Sequence, residues 1–351
     1  MQFGCWTPLP HTVRSEPRID VAHEQMKRRG GAGDPDLNLA FAGEVLRKAE
    51  GYGFDISLIA ERFLGPDHEC WMMAAALAPL TNSIRLMPAI HPGMITPQVV
   101  AKMGASLDRL SGGRCAINIV NGWWQQEFEM YSNGNWIEAS DARYRRMNEF
   151  VQVMKGLWTE DEFSYDGEFY RLDKGSLPTK SATLPHPPLF AASRTDLGMD
   201  IIARECDVWF ALVQQNFRNY EENYGVIADG IAEMRRRSAN YGRKLGYGVS
   251  CHVICRDSME EVLQAAEGLE REGQKSRLAL VAAKALGAGL VGTPQIIADR
   301  IRRYEDAGVT MLMLHFHPML DGLDTFAEKV MPLLGSSAPT FRQALAQEGA
   351  L

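Results

Sequence analysis

Asn118, Asn121 and Glu127 close the most chemically suggestive segment of this chain, Ser111-Gly-Gly-Arg-Cys-Ala-Ile-Asn-Ile-Val-Asn-Gly-Trp-Trp124 and the three residues after it. Ser111-Gly-Gly113 reads as a turn and Cys115-Ala-Ile117 as a buried strand. Amides and a carboxylate at a strand end can hydrogen-bond a polar ring system. Trp123 and Trp124 can wall that ring off from water. The set suits a large, flat, polar cofactor, and a flavin answers that description best.

The histidines form a second group. His252 lies in the strand-like Ser250-Cys-His-Val-Ile254, His315 and His317 follow the last strand, and His91 follows the third. Strand alternation puts His315 and His317 on one side. Three readings stay open: a zinc or iron site built on His-x-His, substrate binding or proton transfer by imidazole, or unconnected polar groups at a pocket rim. Carboxylate and lysine partners that complete a metal centre are not evident at other strand ends, so no metal ligand is assigned. Ala191-Ala-Ser-Arg-Thr-Asp196 opens a helix, where its hydroxyls serve either as a phosphate cradle or as an ordinary N-cap. Gly287-Ala-Gly-Leu-Val-Gly292 has dinucleotide-loop spacing. Residues 277–286 before it read as helix, however, and apolar residues 311–314 stand where a ribose-binding acid belongs. A loop ahead of a helix opened by Thr293-Pro294 fits better.

Elements that position these residues alternate along the whole chain. Strands are expected at 2–6, 54–59, 84–90, 114–120, 189–192, 207–212, 247–255 and 311–314. Helices are expected at 37–51, 70–80, 97–110, 141–158, 195–205, 219–241, 259–270, 294–307 and 323–334. Three excursions interrupt them, at 8–36 (partly mobile, over the top of the barrel), 160–185 and 271–290. About eight β/α pairs imply a (β/α)8 TIM barrel with insertion segments. One domain is expected over 1–335, with 336–351 as a C-terminal extension.

Composition agrees. A chain of 351 residues, 46% hydrophobic, suits one large α/β barrel. No apolar run approaches the roughly 18 residues that span a bilayer, and the start lacks a signal-peptide pattern, so a cytoplasmic protein is expected. Six scattered cysteines without a Cys-x-x-Cys pair read as free buried thiols. A net charge of −7 argues against nucleic acid as a partner. Arg235-Arg-Arg237 reads as a solvated helix face.

Taken together, the residues resemble the bacterial luciferase-like superfamily of flavin-dependent oxidoreductases. The resemblance is greatest to the two-component monooxygenases acting on sulfones, alkanesulfonates and pyrimidines. It is carried by Gly53-Phe-Asp55, Ala89-Ile-His-Pro-Gly93, Thr96-Pro97, Leu107-Asp-Arg-Leu-Ser-Gly-Gly-Arg114, Asn118-Ile-Val-Asn-Gly-Trp123, Arg143-Tyr144, Gly156-Leu-Trp158, Gly167-Glu-Phe-Tyr170 and Val291-Gly-Thr-Pro294. The resemblance implies that Asn118, Glu127, Arg143, Tyr144 and Thr195 bind FMN, with Thr195 standing where relatives usually have Ser. It also implies that His252, His317 and Arg62 act in catalysis; Trp6 and Trp123 as walls, and His91 and His315 just past strand ends, are expected to line the substrate pocket. The sulfonate branch has an Arg two residues before the His, where this chain has Ser250, and a Tyr where His317 stands; the sulfone branch fits better.

The implied activity is an FMN-dependent monooxygenase. It would take reduced flavin from a separate NAD(P)H-dependent flavin reductase and oxidise a small sulfone or sulfonate. A homodimer or homotetramer is implied as well. The alternatives are a metal-dependent TIM-barrel hydrolase, and a relative that binds flavin without catalysis or uses F420.

Overall fold

The computed structural model describes residues 1–11, 16–31, 33–122, 124–212, 216–273 and 285–335. Strands β1 (Gln2–Trp6), β2 (Ile56–Ile59), β3 (Arg85–Ile90) and β4 (Ile117–Ile119) come first. A two-stranded antiparallel hairpin follows, β5 (Phe163–Asp166) and β6 (Arg171–Gly175). Then come β7 (Leu189–Ala191), β8 (Val208–Ala211), β9 (Gly246–Cys255), β10 (Val291–Gly292) and β11 (Met311–Phe316). Parallel pairing runs β1-β2-β3-β4-β7-β8-β9-β11 and returns to β1, closing an eight-stranded barrel. The TIM barrel expected from the alternation is therefore the fold.

Helices surround it: α1 (Pro17–Lys27), α2 (Leu37–Gly51), α3 (Cys70–Leu77), α4 (Pro97–Leu110), α5 (Gln125–Tyr131), α6 (Ser140–Thr159), α7 (Asp196–Glu205), α8 (Tyr220–Asn240), α9 (Met259–Gly273), α10 (Pro294–Ala307) and α11 (Met319–Thr325). Their ends follow local chemistry. Asp36 caps α2 by accepting from the Leu39 amide at 2.7 Å. Pro97 and Pro294 open α4 and α10, where the missing N–H costs nothing.

Strand side chains alternate between two cores. Outward residues such as Cys5, Ile117, Ile119, Val249 and Leu314 pack under the helices. Inward residues, among them Ile56, Met87, Ala116, Phe190, Phe210 and Met313, fill the lumen. That lumen is a packed plug, and the inward positions just past it carry the polar groups.

Three expectations need correction. The 8–36 excursion contains α1, with Pro17 at its first turn and Asp20 near its start; residues 12–15 and 32 lie outside the described residues. The 160–185 excursion contains the β5–β6 hairpin, whose alternating half-buried Phe163 and Tyr165 pack against the outer core. The last helix starts at Met319, earlier than expected, and its winding changes after Thr325. The Gly287–Gly292 run leaves a short helical turn and itself ends in the two-residue β10, which pairs beside β9, so that no strand precedes its first glycines. Its glycines therefore do not turn a strand into a helix, as a dinucleotide loop requires. Residues 274–284 and 336–351 lie outside the described residues.

All six cysteines are free and buried. Burial pushes the Cys5 thiol up to about 12 and the Cys255 thiol to about 11. Arg236 and Arg237 both pair with Glu233, and Arg237 also with Asp196. Among the described residues no helix is long and apolar enough to cross a membrane.

Candidate active site

The C-terminal ends of β1, β9 and β11 build one wall. Parallel register sets Met313 beside Ser250 and His315 beside His252, so alternation turns Ser250, His252 and His315 to the mouth above Met313. The two imidazoles lie 4.7 Å apart, and His317 is 6.3 Å from His252. Trp6, inward from β1, stacks on His315 at 5.9 Å and donates its indole N–H to Ser250 Oγ at 3.2 Å. Desolvation drives His315 down to about 3 and also lowers His317. Both rings are therefore neutral near pH 7, each with one N–H that can donate a hydrogen bond and one bare nitrogen that can accept one.

The ends of β2 and β3 build a second wall. Ala89 and His91 share the inward phase of β3. Burial, helped by the Arg62 cation, holds His91 at about 3. The Arg62 guanidinium meets the buried Glu127 carboxylate at 3.3 Å, and Glu127 also accepts from the Leu64 amide at 3.3 Å. Glu127 thus pins the segment after β2 to α5. Beside Arg62, the carboxyl of Glu61 is buried and accepts from the Cys70 amide at 2.8 Å. Desolvation raises Glu61 to about 7.

A carboxyl with a raised pKa favours folding below its unfolded value of about 4.5, and that contribution is lost as pH climbs through 7. Glu61→Gln should therefore flatten the fall in melting temperature between about pH 5 and about pH 8, by calorimetry. An unchanged slope would clear Glu61 of responsibility.

The ends of β4 and β7 build the third wall. Ala116 and Val120 belong to the lumen cluster, so Asn118 between them faces the mouth as well. Asn121 follows, its Oδ1 buried and without a partner. At the end of β7, Ser193 Oγ accepts from the Thr195 amide at 3.1 Å, and Thr195 Oγ1 caps α7 by accepting from the Gly198 amide at 3.1 Å. A Cβ at Gly198 would overlap both Ser193 Oγ and the Tyr144 ring. Tyr144, Ser193, Thr195 and the start of α7 thus converge, and of the two readings of this segment the N-cap is the one the hydrogen bonds show.

The residues expected to act together are thus distributed over three walls of one mouth. Trp6, His252, His315 and His317 form one cluster, Arg62, Glu127 and His91 another, and Tyr144 with Thr195 a third. Arg143 sits apart from these clusters. Its guanidinium donates to the Ile137 and Glu138 carbonyls at 2.6 and 2.8 Å and lies over Trp136. Trp123 lies outside the described residues.

Sequence reasoning missed Glu61, which only burial singles out, and made little of Ser193, two residues before Thr195. Among the described residues, the three histidines do not gather ligand atoms within reach of one ion. The group that does is Glu61, Glu69 and Cys70, already engaged in bonds to one another and to the first turn of α3.

The model of the luciferase-like monooxygenase family matches residues 1–311. The chain belongs to that family. A protein from Pseudomonas putida named FMNH(2)-dependent dimethylsulfone monooxygenase is 30% identical over 331 residues, covering 85% of this chain and 88% of its own. Among solved structures, long-chain alkane monooxygenase LadA superposes with a TM-score of 0.77 at 16% identity, over 99% of this chain and 96% of its own. An F420-dependent secondary alcohol dehydrogenase reaches 0.72 at 18% identity, over 95% and 99%. At such identities the two structures show the shared fold alone.

Proposed function

We propose that this chain is a two-component monooxygenase that uses FMNH2 from a separate NAD(P)H-dependent reductase to oxygenate a small uncharged organosulfur compound, a sulfone in the first instance. The observation that carries the reading is the joining of two sites on one barrel mouth. The amides Asn118 and Asn121 end β4, and the Ser193–Thr195–Tyr144 cradle opens α7 on the neighbouring strand. The unpartnered Asn121 Oδ1 fits a ring N–H. A helix N-terminus with two hydroxyls fits a phosphate. The similarity to a dimethylsulfone monooxygenase supports the substrate class.

When bound, reduced flavin supplies the electrons with which dioxygen gives one oxygen atom to substrate and one to water. The chain's own residues do the rest. Asn118 and Asn121 orient the ring. Thr195, Ser193 and Tyr144 hold the phosphate. Trp6 and the neutral His315 keep water from one side of the mouth. His252 and His317 accept and return protons at their ring nitrogens. Arg62, committed to Glu127, offers no full charge to an anionic substrate, which favours a sulfone over a sulfonate. Free buried thiols accord with a reducing cytoplasm. The assembly we propose is a homodimer or homotetramer, to be read by sedimentation.

Asn118→Ala should weaken FMNH2 binding by about 1–3 kcal/mol in anaerobic titration; unchanged affinity removes Asn118 from the site. Turnover of a panel of sulfones, sulfonates and N-heterocycles with added reductase tests the reaction. Oxidation of sulfonates in preference to sulfones overturns the substrate class. Failure of FMNH2 to bind, where reduced F420 does, overturns the cofactor.

A further inference from the structure

Outside the three walls just described, on the same C-terminal side of the barrel, a pocket of about 460 Å³ lies between the N-terminus of α4, the loop from α5 to α6 and the turn of the β5–β6 hairpin. Ile95, Trp136 and Phe169 give it apolar walls, and Arg146 and Tyr170 also line it. Its lining carries one charged side chain, the Arg146 guanidinium. Arg146, on α6, is only 5% exposed, and its Nε and Nη2 are buried without a partner. Its one hydrogen bond is from Nη1 to the Asn135 carbonyl at 3.1 Å. No carboxylate among the described residues pairs with it.

Gly93 makes room for this cation, since a Cβ there would overlap the guanidinium. The Tyr170 hydroxyl is buried beside the Gly93 backbone, and its O–H donates to no protein acceptor among the described residues. Burial pushes Tyr170 up to about 12, so it keeps its proton and can donate. The first turn of α4 adds the positive end of a 14-residue helix, and the Thr96 side chain does not cap it.

The pocket is also held open. Glu149 accepts from the Glu168, Phe169 and Tyr170 amides at 2.8, 2.8 and 3.1 Å, fixing the hairpin turn that carries Tyr170. Outside it, Arg145 pairs with Glu168 at 3.0 Å. The acids nearby are thus committed to building the pocket, and the cation inside is left over. A buried guanidinium with two idle nitrogens is costly unless an acceptor reaches it.

We propose that this pocket binds a small organic anion, a carboxylate or sulfonate on an apolar body, through Arg146 and Tyr170. The planar guanidinium takes two oxygens of such a headgroup side by side, the tyrosine hydroxyl takes a third contact, and Trp136, Ile95 and Phe169 cover the body. The volume suits a molecule of that size. Arg146 and Tyr170 have no part in the flavin reading, on which the inference does not rest.

Titration calorimetry on the whole chain tests it, with benzoate and benzenesulfonate as probes and benzamide as the neutral control. One or both anions should bind, and more tightly than benzamide. Arg146→Gln should weaken the binding by about tenfold or more, and Tyr170→Phe, which keeps the ring packing, by about threefold to tenfold. Saturating FMN should leave the affinity unchanged. The preferred anion identifies the headgroup. The proposal is overturned if benzamide binds as tightly as the anions, if neither anion binds, if Tyr170→Phe and a folded Arg146→Gln bind like the parent, or if FMN displaces the probe competitively.

Discussion

Arg62→Met should cost about 3–5 kcal/mol of folding stability, read from urea unfolding. The substitution fills similar space with an apolar chain but leaves the Glu127 carboxylate, 2% exposed, with the Leu64 amide as its remaining donor in the pair described above. Two charges buried together contribute little net stability, whereas one left alone bears the whole cost of desolvation. The double change Arg62→Met with Glu127→Leu should therefore recover most of the loss. A loss below about 1 kcal/mol for the single change would mean that water reaches the orphaned carboxylate. The same substitution removes the cation that helps to keep His91 neutral, so it also links the second wall of the mouth to the acid response.

That acid response is the second large effect. His91 and His315, each held near 3 by burial, must charge when the chain unfolds in acid. For a base with a depressed pKa, the stabilising contribution is present above the unfolded value of about 6.5 and is lost as pH falls toward 3. At about 1.4 kcal/mol per tenfold in proton affinity, each ring accounts for roughly 4–5 kcal/mol across that window. Stability against urea should decline steeply from about pH 6.5 to about pH 4. His91→Gln and His315→Gln should each flatten the decline, because glutamine carries no titrating group. A curve with the same steepness in both variants would place the acid sensitivity in the carboxylates instead.

Much of this architecture was legible because its signals are local. The bounds of α2, α4 and α10 agree with their expected spans, since a capping aspartate or a first-turn proline marks where each begins. The eight barrel strands were legible as apolar runs between helices, because both faces of a parallel barrel are covered. The β5–β6 hairpin was not. Its strands are half exposed, so their alternation is faint and reads as loop. Helix α1 was hidden by a proline and a glycine-rich flank, although that proline stands at its first turn.

In the site, Asn118 and the histidines stood out because a polar residue at a buried strand end is conspicuous. The Arg62–Glu127 pair did not, because 65 residues separate its members and no periodicity connects them. Glu61 and Arg146 carry no sequence signal at all. Their unusual states arise only once folding removes the water around them.

The ladder between β9 and β11 gives the mouth a further property. His252 and His315 are direct register partners on strands that also place Ser250 beside Met313. Loss or gain of one residue ahead of either strand would reverse its phase, sending an imidazole into the hydrocarbon layer and a Val or Leu into the mouth. Point substitutions can thus retune this rim one side chain at a time. Insertions and deletions here act as an on–off change, so variation between relatives in these two strands should accumulate by replacement and almost never by length.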